Sequence, residues 1–276
     1  MSHDPNAVTD HYGRTDLTES ILNALRAADI DVEHLSLDDL APVEEFHIGG
    51  REATTELAQL AKIDRSDRVL DIGCGIGGPA RALAAMYGCR VTGVDLTEPF
   101  CEAATELNRR TGLSDLIEIH HGSALDLPLA DASIDVVWMQ HVSMNIEDKA
   151  GLYCEARRVL VPEGRVAIYE ILAGPGGEIH FPVPWARARE ISFLATPQQL
   201  QQTLVDSGLQ KRDWIDVTSE ATSWFSNMLQ RIAVEGSPPL SLATLMGADF
   251  SAMAQNVLRN LKEDRLRVVR AIYLPV

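Results

Sequence analysis

Val69-Leu70-Asp71-Ile72-Gly73-Cys74-Gly75-Ile76-Gly77-Gly78 is a short apolar run that breaks into a cluster of glycines. The run suits a buried strand, and glycines let the backbone turn tightly and approach a ligand closely. Gly78 to Tyr87 then reads as a helix, with Ala80, Leu83, Ala84 and Tyr87 turned inward. The stretch is thus a strand, a glycine turn and a helix, the unit from which parallel α/β sheets are built. Working outward, strands are expected at Arg68 to Ile72, Arg90 to Asp95, Leu116 to His120, Ile134 to Met139 and Gly164 to Glu170. Helices are expected at Pro99 to Thr111 and Ile146 to Leu160, the second separated from its following strand by the turn Val161-Pro162-Glu163-Gly164. Strands alternating with helices at this spacing predict a doubly wound, mostly parallel sheet with helices on both faces.

The flanks read differently. Helices are expected near Asp16 to Ala28 and Arg51 to Lys62, with a loop at Phe46-His47-Ile48-Gly49-Gly50 between them. Beyond Ile171, a helix begins at Pro197 behind Thr196, and Gln210 to Val217 and Arg267 to Leu274 complete seven strands. Ser219 to Asp264 reads as a helical insertion carrying Trp224, Phe225, Met228, Met246 and Met253, which suits either a cover over a ligand or ordinary packing. The expected organisation is a helical cap over 1–62, a core over 63–218, a helical lid over 219–264 and a final core strand over 265–276.

Composition narrows the function. A 46% apolar share with 23% charged residues is that of a globular chain. The net charge of −16 would repel phosphate backbones, and no Lys/Arg cluster counters it, so nucleic acid is excluded as a partner. No apolar run reaches the roughly 20 residues of a membrane span, and the polar start (Met1 to Asp10) has no leader pattern; the chain is expected to be cytoplasmic. Cys74, Cys89, Cys101 and Cys154 form neither a CxxC pair nor a metal spacing with His, so no metal is expected.

Gly73, Gly75 and Gly78 also fit a dinucleotide fingerprint, which keeps an NAD-dependent oxidoreductase open. Asp71 separates the alternatives, because a carboxylate at that turn disfavours a pyrophosphate and suits a ligand bearing an ammonium group. S-adenosylmethionine carries an ammonium and a sulfonium. Asp95, at the end of the second strand about 20 residues past the turn, is placed to accept hydrogen bonds from ribose hydroxyls. A non-catalytic binding protein for the same cofactor is a further alternative.

The order Asp-x-Gly-x-Gly, strand-end Asp95, Gly122-Ser123-Ala124-Leu125-Asp126-Leu127-Pro128, then Asp135-Val136-Val137 resembles class I S-adenosylmethionine-dependent methyltransferases. It is similar to their small-molecule group, which includes sarcosine/dimethylglycine and tocopherol methyltransferases. The resemblance covers about Arg51 to Leu209 and implies a Rossmann-like fold, with S-adenosylhomocysteine as product. It implies cofactor contacts from Asp71, Gly73, Gly75, Asp95, Leu96, Ser123, Ala124 and Leu125, with Gln140 toward the methionine portion. The family usually has Asp or Glu where this chain has Ser123, so adenine recognition falls more to the backbone at Ala124.

His141, in the loop after the fourth strand, is the candidate catalytic base, since a neutral imidazole of pKa near ~6.5 can take a proton from a hydroxyl or ammonium. Tyr12, His47, Asn145, His180 and Trp185 are the candidate substrate contacts, Asn145 serving alternatively to cap the next helix. The expected partner is a small-molecule acceptor methylated on oxygen or nitrogen, an amine slightly favoured. A homodimer is left open.

Overall fold

The computed structural model describes residues 17–236, 240–247 and 249–276. Its centre is a seven-stranded sheet of order β3-β2-β1-β4-β5-β7-β6. Three helices precede it, α1 (Leu17–Ala27), α2 (Leu37–Glu44) and α3 (Gly50–Ala61). Then come β1 (Arg68–Ile72), α4 (Gly78–Tyr87), β2 (Arg90–Asp95), α5 (Glu98–Arg110), β3 (Ile117–His121) and β4 (Ile134–Gln140). A 3-10 turn (Ser143–Asn145) leads to α6 (Lys149–Val159), β5 (Leu160–Ala173), α7 (Pro197–Asp206) and β6 (Leu209–Asp216). The chain ends with α8 (Thr218–Glu235), α9 (Leu242–Met246), α10 (Phe250–Lys262) and β7 (Leu266–Pro275).

β1 is central because it is apolar on both faces: Val69, Leu70 and Ile72 are buried, and it pairs in parallel with β2 and β4. The chain builds β2 and β3 on one side of β1, then returns to lay β4 on the other. That reversal opens a crevice at the carboxyl ends of β1 and β4, where ligands of such sheets bind. β7 runs antiparallel between β5 and β6. No helix among the described residues is long and apolar enough to cross a membrane.

Three local differences from the sequence reading have identifiable causes. α2 was not expected, because Pro42 sits inside it; a capping box starts it, with Ser36 Oγ accepting from Asp39 N–H at 3.2 Å and Asp39 Oδ2 from Ser36 N–H at 2.8 Å. α6 begins at Lys149 instead of Ile146, because Asp148 caps it by accepting the Gly151 N–H at 2.8 Å. β5 starts at Leu160, before the expected turn: its pairing with β4 passes from Leu160 opposite Ile134 to Arg165 opposite Val136, and residues 161–164 bulge out between.

Candidate active site

The glycine turn is held by main-chain hydrogen bonds to the neighbouring strand and within itself. Gly73 N–H donates to Val94 O at 2.8 Å, and Gly77 N–H to Cys74 O at 2.9 Å. Gly73 has φ +69, and a Cβ there would stand 2.6 Å from Val142 Cγ2, so only glycine fits. Gly75 has φ +54, but open space lies where its Cβ would be. Asp95 braces the turn from β2, its Oδ2 accepting the Gly75 N–H at 2.9 Å and its Oδ1 the Thr97 N–H at 2.8 Å. Each oxygen keeps a further lone pair for a hydroxyl.

Against this turn lies a cavity of about 260 Å³. Its wall includes eight of the nine expected cofactor positions: Gly73, Gly75, Asp95, Leu96, Ser123, Ala124, Leu125 and Gln140. Asp71 stands behind the wall, 2% exposed, and its Oδ2 has no partner among the described residues. Burial raises its pKa well above the usual carboxylate range, and the Asp95 charge adds to the rise. Ser123 Oγ accepts the Leu125 N–H at 3.1 Å and so shapes its own turn.

Gln140 ends β4. Its Oε1 accepts the Trp138 indole N–H at 2.9 Å and the Thr54 hydroxyl at 3.2 Å. An indole only donates, which fixes the amide orientation and leaves Nε2 as a buried donor without a partner.

The geometry at His141, the expected base, shows both ring nitrogens engaged. The residue takes φ +56, its N–H donates to Tyr169 O at 2.7 Å, and its Nδ1 lies 3.0 Å from the same carbonyl. A carbonyl only accepts, so Nδ1 carries the proton and the Nε2 lone pair receives the Ile48 N–H at 3.2 Å. Burial pushes the ring down to about 3, and the neighbouring His47 ring contributes. With both nitrogens engaged to main chain, the ring ties the loop before α3 to β5.

His47 also faces the cavity. Its Nε2 donates to Gly50 O at 2.9 Å and lies 3.0 Å from Thr54 Oγ1, so in the neutral ring Nδ1 is the acceptor. Burial lowers its pKa to about 4. Beside it, burial and then the Glu44 charge raise Glu45 to about 8.

Asn145 and Trp185 line the cavity together: Asn145 Nδ2 donates to Trp185 O at 2.7 Å, and the Trp185 indole to Ser192 Oγ at 3.0 Å. Asn145 therefore does not cap α6, a role Asp148 fills. His180 is outside the lining. Its Nε2 pairs with Glu263 at 2.8 Å, and its main chain is clasped by Asn260 through 2.8 and 3.0 Å hydrogen bonds. It anchors the loop after β5 to α10. Tyr12 lies outside the described residues.

The sequence reading missed further lining of the cavity. Glu44, Phe46, Phe100, Leu242, Phe250 and Val257 line it. Phe250 and Val257, seven apart on α10, were readable as one helix face. Glu44 was hidden by its partner: Arg81, fully buried, donates to Glu44 Oε2 at 2.6 Å and to Asn108 Oδ1 at 2.8 Å.

Comparison with known proteins agrees with this geometry. Residues 70–168 match a family described as the methyltransferase domain. A sarcosine/dimethylglycine N-methyltransferase of Halorhodospira halochloris is 30% identical over 193 residues, covering 68% of this chain and 67% of that protein. A glycine/sarcosine/dimethylglycine N-methyltransferase of Actinopolyspora halophila is 30% identical over 251 residues, but this chain spans only 43% of its length. In fold, phosphoethanolamine N-methyltransferase 2 of Haemonchus contortus superposes with a TM-score of 0.75 at 19% identity, covering 99% of this chain and 60% of that one.

Proposed function

The chain belongs to the class I S-adenosylmethionine-dependent methyltransferases, and from that premise we propose that it methylates an oxygen or nitrogen of a small molecule, an amine slightly favoured. The observation that carries the cofactor assignment is the pair of buried groups unpartnered among the described residues, Asp71 Oδ2 on β1 and Gln140 Nε2 at the end of β4. A buried polar atom without a partner is costly and calls for a ligand that completes it. S-adenosylmethionine has an ammonium for the carboxylate and a carboxylate for the amide.

The residues divide the work by position. Main chain at Gly73 and Gly75 admits the ligand close to the turn. Asp95 receives the ribose hydroxyls. Leu96, Ser123, Ala124 and Leu125 surround the adenine. Asp71 and Gln140 hold the methionine end. When bound, S-adenosylmethionine would supply a methyl group on a cationic sulfur, which passes in line to the acceptor's lone pair as the carbon–sulfur bond breaks, with S-adenosylhomocysteine leaving and the acceptor's proton passing to water. The protein aligns the acceptor at about 3 Å, which contributes roughly 7–11 kcal/mol without a strong base. His141 is a positioning residue that keeps the His47 loop against the site. Trp185, held by Asn145, walls the acceptor side. The charge of −16 supports a small-molecule enzyme with no nucleic-acid partner, and the chain is proposed to be cytoplasmic.

Calorimetric titration with S-adenosylmethionine and with NAD tests this reading. Binding of the first and no heat from the second is expected; tight NAD binding would overturn it.

A further inference from the structure

The cofactor end of the cavity is polar, but the far end is not. Trp185, from the loop after β5, Trp224, Phe225 and Met228, from α8, and Phe250 and Val257, from α10, all line it. Trp224 and Phe225 meet edge to face with ring centres 5.3 Å apart. This wall is tied together: Asn256 Nδ2 donates to Pro182 O at 2.9 Å and Asn260 Nδ2 to His180 O at 3.0 Å, so the loop and α10 hold one shape. The lining has no Arg or Lys among the described residues. Its charged side chains are Asp95 and Glu44, the latter neutralised by Arg81.

We infer that the acceptor is a mainly apolar molecule, neutral or cationic, and that anionic and zwitterionic acceptors are rejected. The inference rests on the cofactor assignment above and names the substrate class of the same site. An apolar acceptor gains by burial against these rings, and the ring faces also accept a cation. A carboxylate or phosphate carried into this end would be desolvated with no countercharge to meet it. The N-terminus of α4 lies at the glycine turn, on the cofactor side of the cavity.

The test uses isothermal titration of the S-adenosylhomocysteine-saturated protein with four probes: naphthol, naphthylmethylamine, naphthoate and sarcosine. Loss of S-adenosylhomocysteine binding itself would count against the cofactor assignment and is seen before any probe is added. Naphthol or naphthylmethylamine is expected to bind at least ~10-fold more tightly than naphthoate, with no measurable heat from sarcosine. Trp224→Ala is expected to weaken naphthol by ~10-fold, since an aromatic wall is lost. Met228→Arg, on the partly exposed face of α8, is expected to improve naphthoate by ~10-fold by supplying the missing countercharge. Naphthoate or sarcosine binding as tightly as naphthol to the unmodified protein would overturn the inference. So would a naphthol affinity unchanged in Trp224→Ala.

Discussion

Replacing Asp71 with asparagine removes one charge, keeps the shape, and separates a ligand-binding carboxylate from a structural one. In the free protein, Asp71 is 2% exposed, its Oδ2 has no partner, and burial with the Asp95 charge raises its pKa. Its ionised form is therefore unfavourable until a cation arrives. A hydrogen bond to a charged group contributes about 1.5–3 kcal/mol. Loss of the ammonium contact should therefore weaken S-adenosylhomocysteine by ~10- to ~100-fold in Kd. The free variant should melt no lower than the parent, because Asn places no latent charge in the interior. Titration in buffers of different ionisation enthalpy adds a second readout. With the Asp71 pKa raised by burial and the Asp95 charge, the protonated parent should release a proton on binding, and Asp71→Asn should release less. An unchanged Kd, or an equal proton release in both proteins, would refute the reasoning.

Other substitutions probe the supports of the site. His141→Ala deletes the acceptor of the Ile48 N–H and the donor to Tyr169 O, and should cost about 1–3 kcal/mol in urea unfolding while turnover at saturating acceptor stays within ~10-fold. A ~100-fold loss of turnover with unchanged stability would return His141 to the role of base. Arg81→Met strands the buried Glu44 carboxylate and should cost about 3–5 kcal/mol, most of it recovered in Arg81→Met/Glu44→Leu; equal stability of single and double variants would contradict this. Glu170, fully buried and accepting the Ser143 N–H at 3.2 Å, is raised to about 7 by burial. The folded state then keeps a proton that the unfolded chain loses above its ordinary pKa. Glu170 thus stabilises the fold at low pH, and that contribution disappears as pH rises from about 4.5 to about 7. Between these limits the parent should lose on the order of 3 kcal/mol relative to Glu170→Gln. Parallel stability curves for the two proteins would refute the assignment.

What the sequence disclosed is local in origin. The β1–turn–α4 unit is written in consecutive residues, and Asp95 follows at a fixed spacing, so both were readable without a partner strand in view. Ser123 to Leu125 and Gln140 sit at strand ends, where the parallel topology alone delivers them to one crevice. The readings that changed depend on distant partners. His141 looked like a free imidazole until Ile48, 93 residues earlier, took its lone pair. His180 looked like a ligand contact on the correct edge of the sheet, but Asn260 of α10 and Glu263 just past its end, 80 and 83 residues on, hold it outside the cavity lining. α2 was concealed by Pro42, although Ser36 and Asp39 carry the capping signal. The apolar end of the cavity needs α8 and α10 packed together, which no periodicity within one helix specifies.

Transfer of a labelled methyl group tests the central claim most directly. The purified chain is incubated with S-adenosylmethionine bearing a deuterated methyl group and a set of apolar amines and phenols, and the products are read by mass spectrometry. The expected result is label in at least one acceptor, on nitrogen or oxygen, with S-adenosylhomocysteine formed in equal amount. Tight S-adenosylmethionine binding with no labelled product from any of these acceptors would contradict it.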